Sequence, residues 1–427
     1  MWNKLINISG IELYRARKEA MRGDTHARSV LTCDKNASLR ACTGYIYLRV
    51  KEGIVNMRKT FQYRMYPTRK QTILLLHVLS VCRKLYNDSL HDRKVAYEDC
   101  HCGLSYYDQA AWMRYMDYQG VYAHILQNVL RRVDTAFQNF FRRVKSGAEK
   151  VGYPRFQGRN RYDSFTYPDP YGTGYKIEGG KLHLSKIGAI RIFQHREIEG
   201  KVKTCTIKKE GDQWYASFSV ELPDPKPKKV NTSVGVDVGI NTLATLSDGT
   251  EIENPKTLDK CDSKLRKAHR YLSRKKKGSN NRNKQKIILK GIYRKVRNAR
   301  KDYLHKASRT LADNYDRIIF EDLQIKNMVK NHHLARSIHD ASWSMLISLT
   351  TYKVEYTGGV VELVNPRNTS KHCSVCGCIK SMPLSQRTYR CPDCGAVMGR
   401  DHNAAINILN KHVPADCGEL TPVEMVA

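Results

Sequence analysis

Apolar and polar positions alternate from Met57 to Pro67, in the segment MRKTFQYRMYP, which predicts a strand that stops at the proline. From Thr68 the apolar spacing becomes helical, and Gln71 follows the threonine at the distance of a capping box. The apolar run around residues 73–81 is interpreted as the buried face of this helix. Its predicted apolar stripe is formed by Ile73–Leu76, Leu79 and Leu85.

A second helical pattern covers residues 120–145, where apolar side chains recur every four positions while arginines occupy the other face. Such a stripe is typical of a helix packed on a core, with base stacking by its aromatic rings as the alternative. The stripe consists of Ile125, Val129, Val133, Phe137 and Phe141. The opposite face carries Arg131, Arg132, Arg142 and Arg143.

The next segment, GYPRFQGRNRYDSFTYPDP, sets aromatic residues among arginines, and both a single-stranded nucleic-acid contact and a solvated loop fit it. Short alternating runs between residues 175 and 222 predict antiparallel strands in a small barrel or sheet. The Pro-rich, charged segment 223–231 is interpreted as a linker at which a domain ends.

Strands and helices alternate after the linker, which predicts an α/β domain. The segment TSVGVDVGINTLATLSDGT indicates a strand, a tight turn and a strand. A basic helical stretch over residues 259–311 is interrupted near Gly278, which predicts a hairpin of two helices. The strand DRIIFEDL, a helix over 343–355, the strand VVELVNP, a cysteine-rich insert and the helix NAAINILNKH follow.

The composition indicates a polyanionic partner. Seventy-four Lys and Arg oppose 41 Asp and Glu in 427 residues, giving a formal net charge of +33 at pH 7. This excess repels itself in a compact chain, and phosphate contacts that release counterions relieve it. A merely soluble basic surface is the alternative, and charge alone does not separate DNA from RNA.

No apolar run of about 18 residues predicts a transmembrane helix, and the first residues lack a secretory signal. Thirteen cysteines is an odd number for a disulfide scaffold, and reduced thiols with a metal-binding subset explain them better. We therefore expect a protein without membrane contact, located in the cytoplasm.

Two CxxC pairs, Cys373 with Cys376 and Cys391 with Cys394, give the strongest local signal. Each pair can turn two thiolates toward one tetrahedral zinc ion, and the four together fill its coordination, so this zinc is expected to be structural. Its binding can stabilise a loop without a core by about 10–16 kcal/mol. His372 and Cys378 lie nearby as competing ligands.

Three acidic residues occupy positions that suit hydrolysis by two metal ions, which requires hard oxygen ligands from separate elements. Asp237 lies inside the apolar strand VGVDVG, Glu321 lies where the strand RIIF ends, and Asp401 immediately precedes the last helix. Their order on first strand, later strand and last helix fits the RNase H-like layout. Each has another interpretation: an actin-like ATPase strand, an ordinary strand-end acid, and a helix cap.

Other catalytic classes find no support in the sequence. No GxSxG elbow is present, and no cysteine outside the CxxC pairs has a persuasive histidine partner. A GxxxxGK[ST] phosphate loop is also absent, which disfavours a motor driven by nucleoside triphosphates.

Taken together, these segments resemble the TnpB (OrfB) family of transposon-encoded nucleases, which are relatives of the type V CRISPR effectors. The resemblance covers about residues 57–412. It rests on the ordered blocks FQYRMYPTRKQ, RKLYNDSL, GYPRFQGR, GVDVGINTLATLSDG, LSRKKKGSNNRNK, DYLHKAS, FEDLQIKNM, TSKHCSVCG and RDHNAAINIL.

The resemblance implies a multidomain α+β fold: an N-terminal β-barrel (WED-like) with an inserted helical recognition domain, then an RNase H-like (RuvC) α/β nuclease domain with an inserted zinc ribbon. The expected parts are an extension of unknown role (1–56), the first barrel strand (57–68), the recognition domain (69–165), the remaining barrel strands (166–228), the nuclease domain (229–366, with its hairpin at 259–311), the zinc ribbon (367–397), the last nuclease segment (398–412) and a tail (413–427).

The family's motifs place its metal-binding acids at Asp237, Glu321 and Asp401, where two Mg²⁺ ions are expected, and its single structural Zn²⁺ at the four cysteines. Expected partners are a guide RNA from the transposon end and double-stranded target DNA, so the enzyme would associate with a prokaryotic nucleoid. Backbone contacts to nucleic acid are predicted for Arg274, Lys275, Lys276, Lys277, Arg282, Lys284, Arg294 and Arg400.

Two features depart from the family pattern. Residues 1–56 precede its usual start, which makes Met57 a candidate functional start, and Gly399 stands where a second acid often precedes the RD pair. Two other functions stay open: a DNA transposase that acts on transposon ends without RNA, and a non-cleaving nucleic-acid-binding regulator. Three acids placed in a basic chain disfavour the regulator.

Overall fold

The computed structural model describes residues 57–113, 118, 120–159, 161–383 and 386–411. The predictions for residues 1–56 and for the tail 413–427 lie outside these ranges. Two compact units divide the chain, with the boundary between Pro223 and Asp224.

An antiparallel sheet of seven strands forms the frame of the first unit, in the order β2-β6-β7-β1-β5-β4-β3. Its edge strands β2 and β3 are not hydrogen-bonded to each other in the described chain, so the sheet is open. The alternating pattern allowed either a barrel or a sheet, whereas the resemblance implied a barrel. The strands are β1 (Met57–Tyr66), β2 (Ser164–Tyr167), β3 (Tyr175–Glu178), β4 (Lys181–Leu184), β5 (Gly188–Phe193), β6 (Lys201–Glu210) and β7 (Gln213–Leu222).

Three helices connect β1 to β2 and share one hydrophobic core with the sheet: α1 (Arg69–Cys100), α2 (Tyr106–Met113) and α3 (Ala123–Lys145). The predicted capping box is confirmed, since Thr68 and Gln71 exchange both of its hydrogen bonds. The predicted apolar stripe of α1 is wrong for most of the run Ile73–Leu76, where Leu75 is buried but Ile73, Leu74 and Leu76 are 60%, 42% and 41% exposed. Because a helix makes one turn in 3.6 residues, four consecutive side chains point in different directions and cannot all face the core.

The stripe predicted on α3 is confirmed from Ile125 to Phe137, all of whose apolar members are buried. Phe141, one turn later, is 54% exposed because the core ends before it. On the other face Arg132 donates to the Ser164 carbonyl and to Thr166 Oγ1, which fastens α3 to the edge strand β2.

A mixed sheet of five strands, in the order β10-β9-β8-β11-β12, forms the centre of the second unit. The three strands β8, β11 and β12 run parallel, whereas β9 and β10 return antiparallel. The strands are β8 (Ser233–Val238), β9 (Thr242–Leu246), β10 (Glu251–Glu253), β11 (Arg317–Glu321) and β12 (Val360–Val364).

The helices of this unit include the predicted basic hairpin, whose turn contains Gly278 at a φ of +86°. Helix α8 was not predicted from the sequence. The helices are α4 (Thr257–Lys260), α5 (Asp262–Ser273), α6 (Asn280–Asn314), α7 (Ile325–Met328), α8 (His332–Ala341), α9 (Trp343–Tyr356) and α10 (Arg400–Asn410).

The cysteine insert separates β12 from α10 and contributes the ribbon β13 (Thr388–Arg390) and β14 (Val397–Gly399), which ends two residues beyond the expected bound of 397. The chain therefore has the mixed α and β content that the sequence predicted. Among the described helices, none is both long and apolar enough to span a membrane.

Candidate active site

Asp237 and Glu321 lie at the same level on neighbouring parallel strands. Strands β8 and β11 pair in a register that places Phe320 opposite Val236, so the next residue of each strand is one of the two acids. Both strands end within one residue of them, since β8 ends at Val238 and β11 at Glu321 itself. The carboxyl edge of parallel strands is the usual place for ligands in α/β sheets, and the register brings two carboxylates there.

Helix α10 brings the third acid to the same edge, and Gly235 allows it to do so. A Cβ on Gly235 would lie 2.2 Å from the Ala405 carbonyl oxygen and 2.6 Å from the Leu409 nitrogen, which only a glycine avoids. Since side chains two apart on a strand share a face, the helix crosses the face that carries Asp237. Asp401 lies one turn before Ala405, at the end of α10 nearest that acid.

The three carboxylates influence one another electrostatically. Burial raises the pKa of Asp237 well above its usual range, and the charges of Glu321 and Asp401 raise it further, while Arg400 opposes them. Burial also raises the pKa of Glu321. Like charges gathered in a partly buried place favour a bound cation, which would offset the cost of ionising them.

Glu321 is buried and held by polar neighbours. Its Oε1 accepts a hydrogen bond from the Thr369 hydroxyl, and Thr369 is itself buried. This bond and the charge of Lys411 both act to lower the pKa of Glu321, against the effect of burial. The lysine is tied to the carbonyl of Asn365 at 2.9 Å, so its charge is fixed near the end of β12.

Asp401 is paired with two arginines. Arg387 NH1 of the cysteine insert lies 3.6 Å from its Oδ2, and Arg400 Nε lies 3.7 Å from its Oδ1. The prediction that Asp401 immediately precedes the last helix is wrong, because α10 begins at Arg400 with Gly399 as its N-cap, so Asp401 is the second residue of the helix. Side-chain capping is therefore not the role that this position gives Asp401.

These residues fit a divalent metal ion by their chemistry. Three carboxylates from a strand interior, a strand end and a helix supply the hard oxygen ligands that Mg²⁺ prefers. The carboxylates are close enough for Glu321 and Asp401 to raise the pKa of Asp237. Within the described chain, however, only the four cysteines form a group of three or more ligands whose atoms all lie within 4.8 Å of one another. The carboxylates thus surround a wider space than the thiols do.

The four predicted cysteines come together in the insert. Their Sγ atoms all lie within 4.8 Å of one another, with 3.7 Å between Cys373 and Cys394 and 3.4 Å between Cys376 and Cys391. Thiolates at about 2.3 Å from a tetrahedral zinc ion have similar separations. Neither of the competing ligands, His372 and Cys378, belongs to this group.

Two buried asparagines of α10 connect the insert to the acids, and sequence reasoning missed both. Asn403 accepts from the Ser374 amide at 2.9 Å and donates to the His372 carbonyl at 2.7 Å. Asn407 donates to the carbonyls of Thr369 and His372, each at 2.8 Å. The sequence did carry a signal for them: two amide side chains lie four residues apart on an otherwise apolar helix face. Buried amides need hydrogen-bond partners, so this spacing predicts a segment packed against that face.

The basic residues predicted to contact nucleic acid occupy different environments. Arg274, Lys275, Lys276, Lys277 and Lys284 are exposed around the turn of the hairpin. Arg282 instead closes that turn, since its NH1 donates to the carbonyls of Leu272 and Lys275 at 2.7 and 3.0 Å. Arg294 is half-buried on α6, and Arg400 is only 14% exposed beside Asp401.

Family models match three parts of the chain. A model described as a probable transposase (OrfB_IS605) matches residues 217–332, and one described as a Cas12f1-like TNB domain matches residues 343–408. A model described as a helix-turn-helix domain (HTH_OrfB_IS605) matches residues 57–101, which here form β1 and the single long helix α1.

Two curated relatives are similar over most of their length. The putative RNA-guided DNA endonuclease InsQ of Escherichia coli (strain K12) is 32% identical over 389 residues, with 85% of this chain and 94% of the relative covered. A putative RNA-guided DNA endonuclease of Streptomyces pristinaespiralis is 33% identical over 379 residues, with 85% and 92% covered. Among solved structures, the mini-RNA-guided endonuclease CRISPR-Cas_phi3 aligns with a TM-score of 0.48 at 11% identity, covering 85% of this chain and 94% of that one.

Proposed function

The chain belongs to the TnpB (OrfB) family, and from that premise we propose that it is a transposon-encoded, RNA-guided DNA endonuclease. It would cleave DNA complementary to a bound guide RNA, beside a short flanking motif. The relatives in Escherichia coli and Streptomyces are named for this activity, and the present chain covers more than nine tenths of each.

In this proposal each of the two units has its own role. The seven-stranded sheet with helices α1–α3 is the WED-like and recognition part, and the five-stranded sheet with α10 is the RuvC-like nuclease part. The cysteine insert corresponds to the zinc ribbon. A +33 chain has ample charge to hold RNA and DNA backbones, and RNA pairing would supply the choice of sequence.

The observation that carries the proposal is the meeting of Asp237, Glu321 and Asp401 at one sheet edge, within electrostatic reach of one another. Three neighbouring carboxylates would not help a non-cleaving regulator bind nucleic acid, because they repel one another and also repel its phosphates. A phosphodiester hydrolase needs such a group to hold its metal ions.

We propose that these three residues hold two Mg²⁺ ions. When bound, the metal ions would activate water and stabilise the leaving oxygen. Thr369 holds the Glu321 carboxylate by a hydrogen bond from its hydroxyl. Arg387 and Arg400 lie beside Asp401 and offset its charge, and Arg400 is proposed to contact the scissile phosphate. Asn403 and Asn407 fix the register of α10 and thereby the place of Asp401.

The partners proposed are a guide RNA from the transposon end and double-stranded target DNA. Exposed basic residues at the turn of the α5–α6 hairpin are proposed to contact backbone phosphates: Arg274, Lys275, Lys276, Lys277 and Lys284. Such contacts carry charge and no sequence information. An enzyme with these partners would work in the cytoplasm, in association with the nucleoid.

The test is cleavage of a supercoiled plasmid by protein co-expressed with its transposon-end RNA, reprogrammed to a target beside randomised flanking sequence. We expect linear product that requires added Mg²⁺ and changes target when the guide changes. Cleavage of transposon-end DNA that survives removal of RNA would instead establish a transposase. Binding of RNA and target without any cut would establish a regulator.

A further inference from the structure

The cysteine insert contains one thiol more than a zinc ion binds. Five cysteines lie between positions 373 and 394, whereas four thiolates complete a tetrahedral zinc site. Cys378 is the fifth, and it does not belong to the group of four whose Sγ atoms all lie within 4.8 Å of one another. The chain therefore has an additional thiol beside its proposed zinc site.

Cys378 contacts the four-thiol group although it is not a member of it. Its side chain packs against the cluster formed by Cys373, Tyr389 and Cys391, and its thiol lies within hydrogen-bond reach of the Cys391 sulfur. The Cys378 carbonyl accepts a hydrogen bond from the Cys373 amide at 2.8 Å, which fixes the backbone at this place. The contact brings the sulfur atoms of Cys378 and Cys391 close enough for a disulfide to form.

An acid beside Cys378 explains why this thiol is not a zinc ligand. The Asp393 carboxylate accepts a hydrogen bond from the Cys378 thiol, which requires that the sulfur keep its proton. Zinc binds thiolates, so this bond disfavours Cys378 in the competition for the ion. The same carboxylate is placed to accept the proton when the sulfur reacts.

A small oxidant has access to the four-thiol group. Cys376 and Cys394 are exposed, whereas Cys373 and Cys391 are buried. The sulfur atoms of Cys376 and Cys391 lie 3.4 Å apart, so a molecule that enters beside the exposed thiol also meets the buried one. Hydrogen peroxide is small enough to do so, and it oxidises thiolates that it reaches.

Helix α10 is bonded to the insert on both sides of one of the four cysteines. The His372 carbonyl accepts a hydrogen bond from Asn403 at 2.7 Å, and the Ser374 amide donates one to Asn403 at 2.9 Å. These two residues flank Cys373. Because α10 carries Asp401, the position of the third carboxylate depends on the order of the insert.

We propose that the insert is a redox switch, in which a disulfide between Cys378 and Cys391 forms at the expense of zinc binding and loosens α10. The four-thiol group binds the ion while its sulfur atoms are reduced. Oxidation removes one ligand, and the hydrogen bonds around Cys373 then lose their support. The loss of nuclease activity that would follow rests on the function proposed above, whereas the thiol chemistry does not.

The reaction is a two-electron oxidation with a peroxide as the oxidant. The Cys391 sulfur attacks one peroxide oxygen, the O–O bond breaks, and a sulfenic acid and a hydroxide ion form. The Cys378 sulfur then attacks the sulfenic sulfur while its proton passes to Asp393. The S–S bond forms, and the departing hydroxide takes up this proton as water. A thiolate, a thiol and one hydrogen peroxide thus give a disulfide, one water molecule and one hydroxide ion.

The experiment treats the full chain, purified with zinc, with hydrogen peroxide and measures zinc release with a chromogenic chelator. Peptide mass spectrometry maps the disulfide in the unchanged chain, so this measurement needs no variant. We expect zinc to leave as a disulfide between Cys378 and Cys391 forms, and dithiothreitol with added zinc should restore the zinc content. Cys378→Ser should release zinc at least about fivefold more slowly, because a hydroxyl cannot complete the disulfide.

Cys261→Ser is the matched control, because this half-buried thiol of the second unit lies outside the insert. It should release zinc at the rate of the unchanged chain. A disulfide confined to the four cysteines of the group would overturn the proposal, as would equally fast zinc release from Cys378→Ser.

Hydrogen exchange tests the coupling to α10 without any cleavage. Peroxide treatment should speed amide exchange in the α10 peptides of the unchanged chain, and the same treatment should change it much less in Cys378→Ser. Unchanged exchange in α10 after zinc has left would refute the coupling. Since neither readout measures cleavage, a failure of guided cutting would alter neither result.

Discussion

Gly235 lies beneath α10 where that helix crosses the strand bearing Asp237. An alanine here would place its Cβ 2.2 Å from the Ala405 carbonyl oxygen, and backbone atoms cannot move aside as a flexible side chain does. We predict that Gly235→Ala lowers the free energy of unfolding by about 1–3 kcal/mol and lowers guided cleavage more than tenfold. Urea unfolding and plasmid cleavage measure the two effects.

Gly291→Ala is the control for this substitution. Gly291 lies within helix α6, and a Cβ there meets no atom within 4 Å. It should stabilise the chain by about 0.5–1 kcal/mol and leave cleavage unchanged. Wild-type stability and cleavage in Gly235→Ala would show that the close approach of α10 is not needed to place Asp401.

The acids of the candidate active site were proposed from the sequence, whereas the residues that contact them were not. A carboxylate inside VGVDVG is conspicuous because apolar neighbours normally exclude it. Thr369 and Arg387 give no such signal, since a threonine and an arginine are ordinary residues in a polar insert. Only the structure shows that Thr369 contacts Glu321 and that Arg387 contacts Asp401. Only the pairing of β8 with β11 shows that Asp237 and Glu321 lie level.

At the level of elements, Lys353 joins α9 to α6. Its Nζ donates to Ser308 Oγ at 2.7 Å and to the His305 carbonyl, and burial followed by the charge of Arg309 lowers its pKa to about 8, against the effect of Asp313. The unfolded chain then binds more protons than the folded one between about pH 8 and the usual lysine value of 10.5. Stability contributed at this position should therefore rise with pH across that window.

The difference in unfolding free energy between the unchanged chain and Lys353→Met isolates this effect, since other groups titrate equally in both. We predict that the difference shifts in favour of the lysine chain from pH 8 to pH 10.5. A difference that stays constant over this range would mean that Lys353 keeps its ordinary pKa in the folded protein.

The cysteine insert is the element whose stability should depend on metal. We predict that Cys391→Ser releases zinc and destabilises the insert, because three thiolates and a hydroxyl bind the ion more weakly than four thiolates. Metal analysis of the purified protein measures the loss. Cys378→Ser should keep one zinc ion per chain, since its thiol lies outside the group. One zinc ion per chain in Cys391→Ser would contradict the assignment.

Most helices and strands of the second unit were predicted from the sequence, because their apolar residues recur regularly over long segments. The ends of these segments are marked by turn-forming residues, as at Gly278. Helix α8 was not predicted because its segment NHHLARSIHD is mostly polar. Its few apolar residues are recognisable as a helix face only once the structure shows them in the core that includes Trp343. The resemblance implied a closed barrel, but the edge strands β2 and β3 do not pair with each other, although they follow one another in the chain. The alternation of a short strand does not specify which neighbour it pairs with.

On the scale of the whole molecule, the net charge of +33 favours a polyanionic partner, and we propose the exposed hairpin turn as one place of contact. We predict that replacing the basic residues of this turn by glutamine reduces the slope of log affinity for guide RNA against log salt by about 0.7 for each lost contact. The replaced residues are Arg274, Lys275, Lys276, Lys277 and Lys284. Fluorescence anisotropy over a salt series measures the slope.

A control with five neutralised cations removes the same net charge and so separates local contact from net charge. Each of these partly or fully exposed cations already pairs with a neighbouring acid, and the set is Lys94, Lys176, Lys203, Lys306 and Arg309. This variant should change the slope much less than the hairpin variant does. Equal changes would mean that the hairpin acts only through the overall charge.

The most direct test of the account is guided cleavage by Asp237→Ala, measured together with target binding by the same RNA-loaded protein. The account predicts that linear product falls below detection while target affinity stays within about twofold, because Asp237 serves the reaction and not recognition. Asp322→Ala, which removes an exposed carboxylate beside Glu321, should cut normally. Cleavage by Asp237→Ala at the wild-type rate would contradict the central claim that these three carboxylates form the active site.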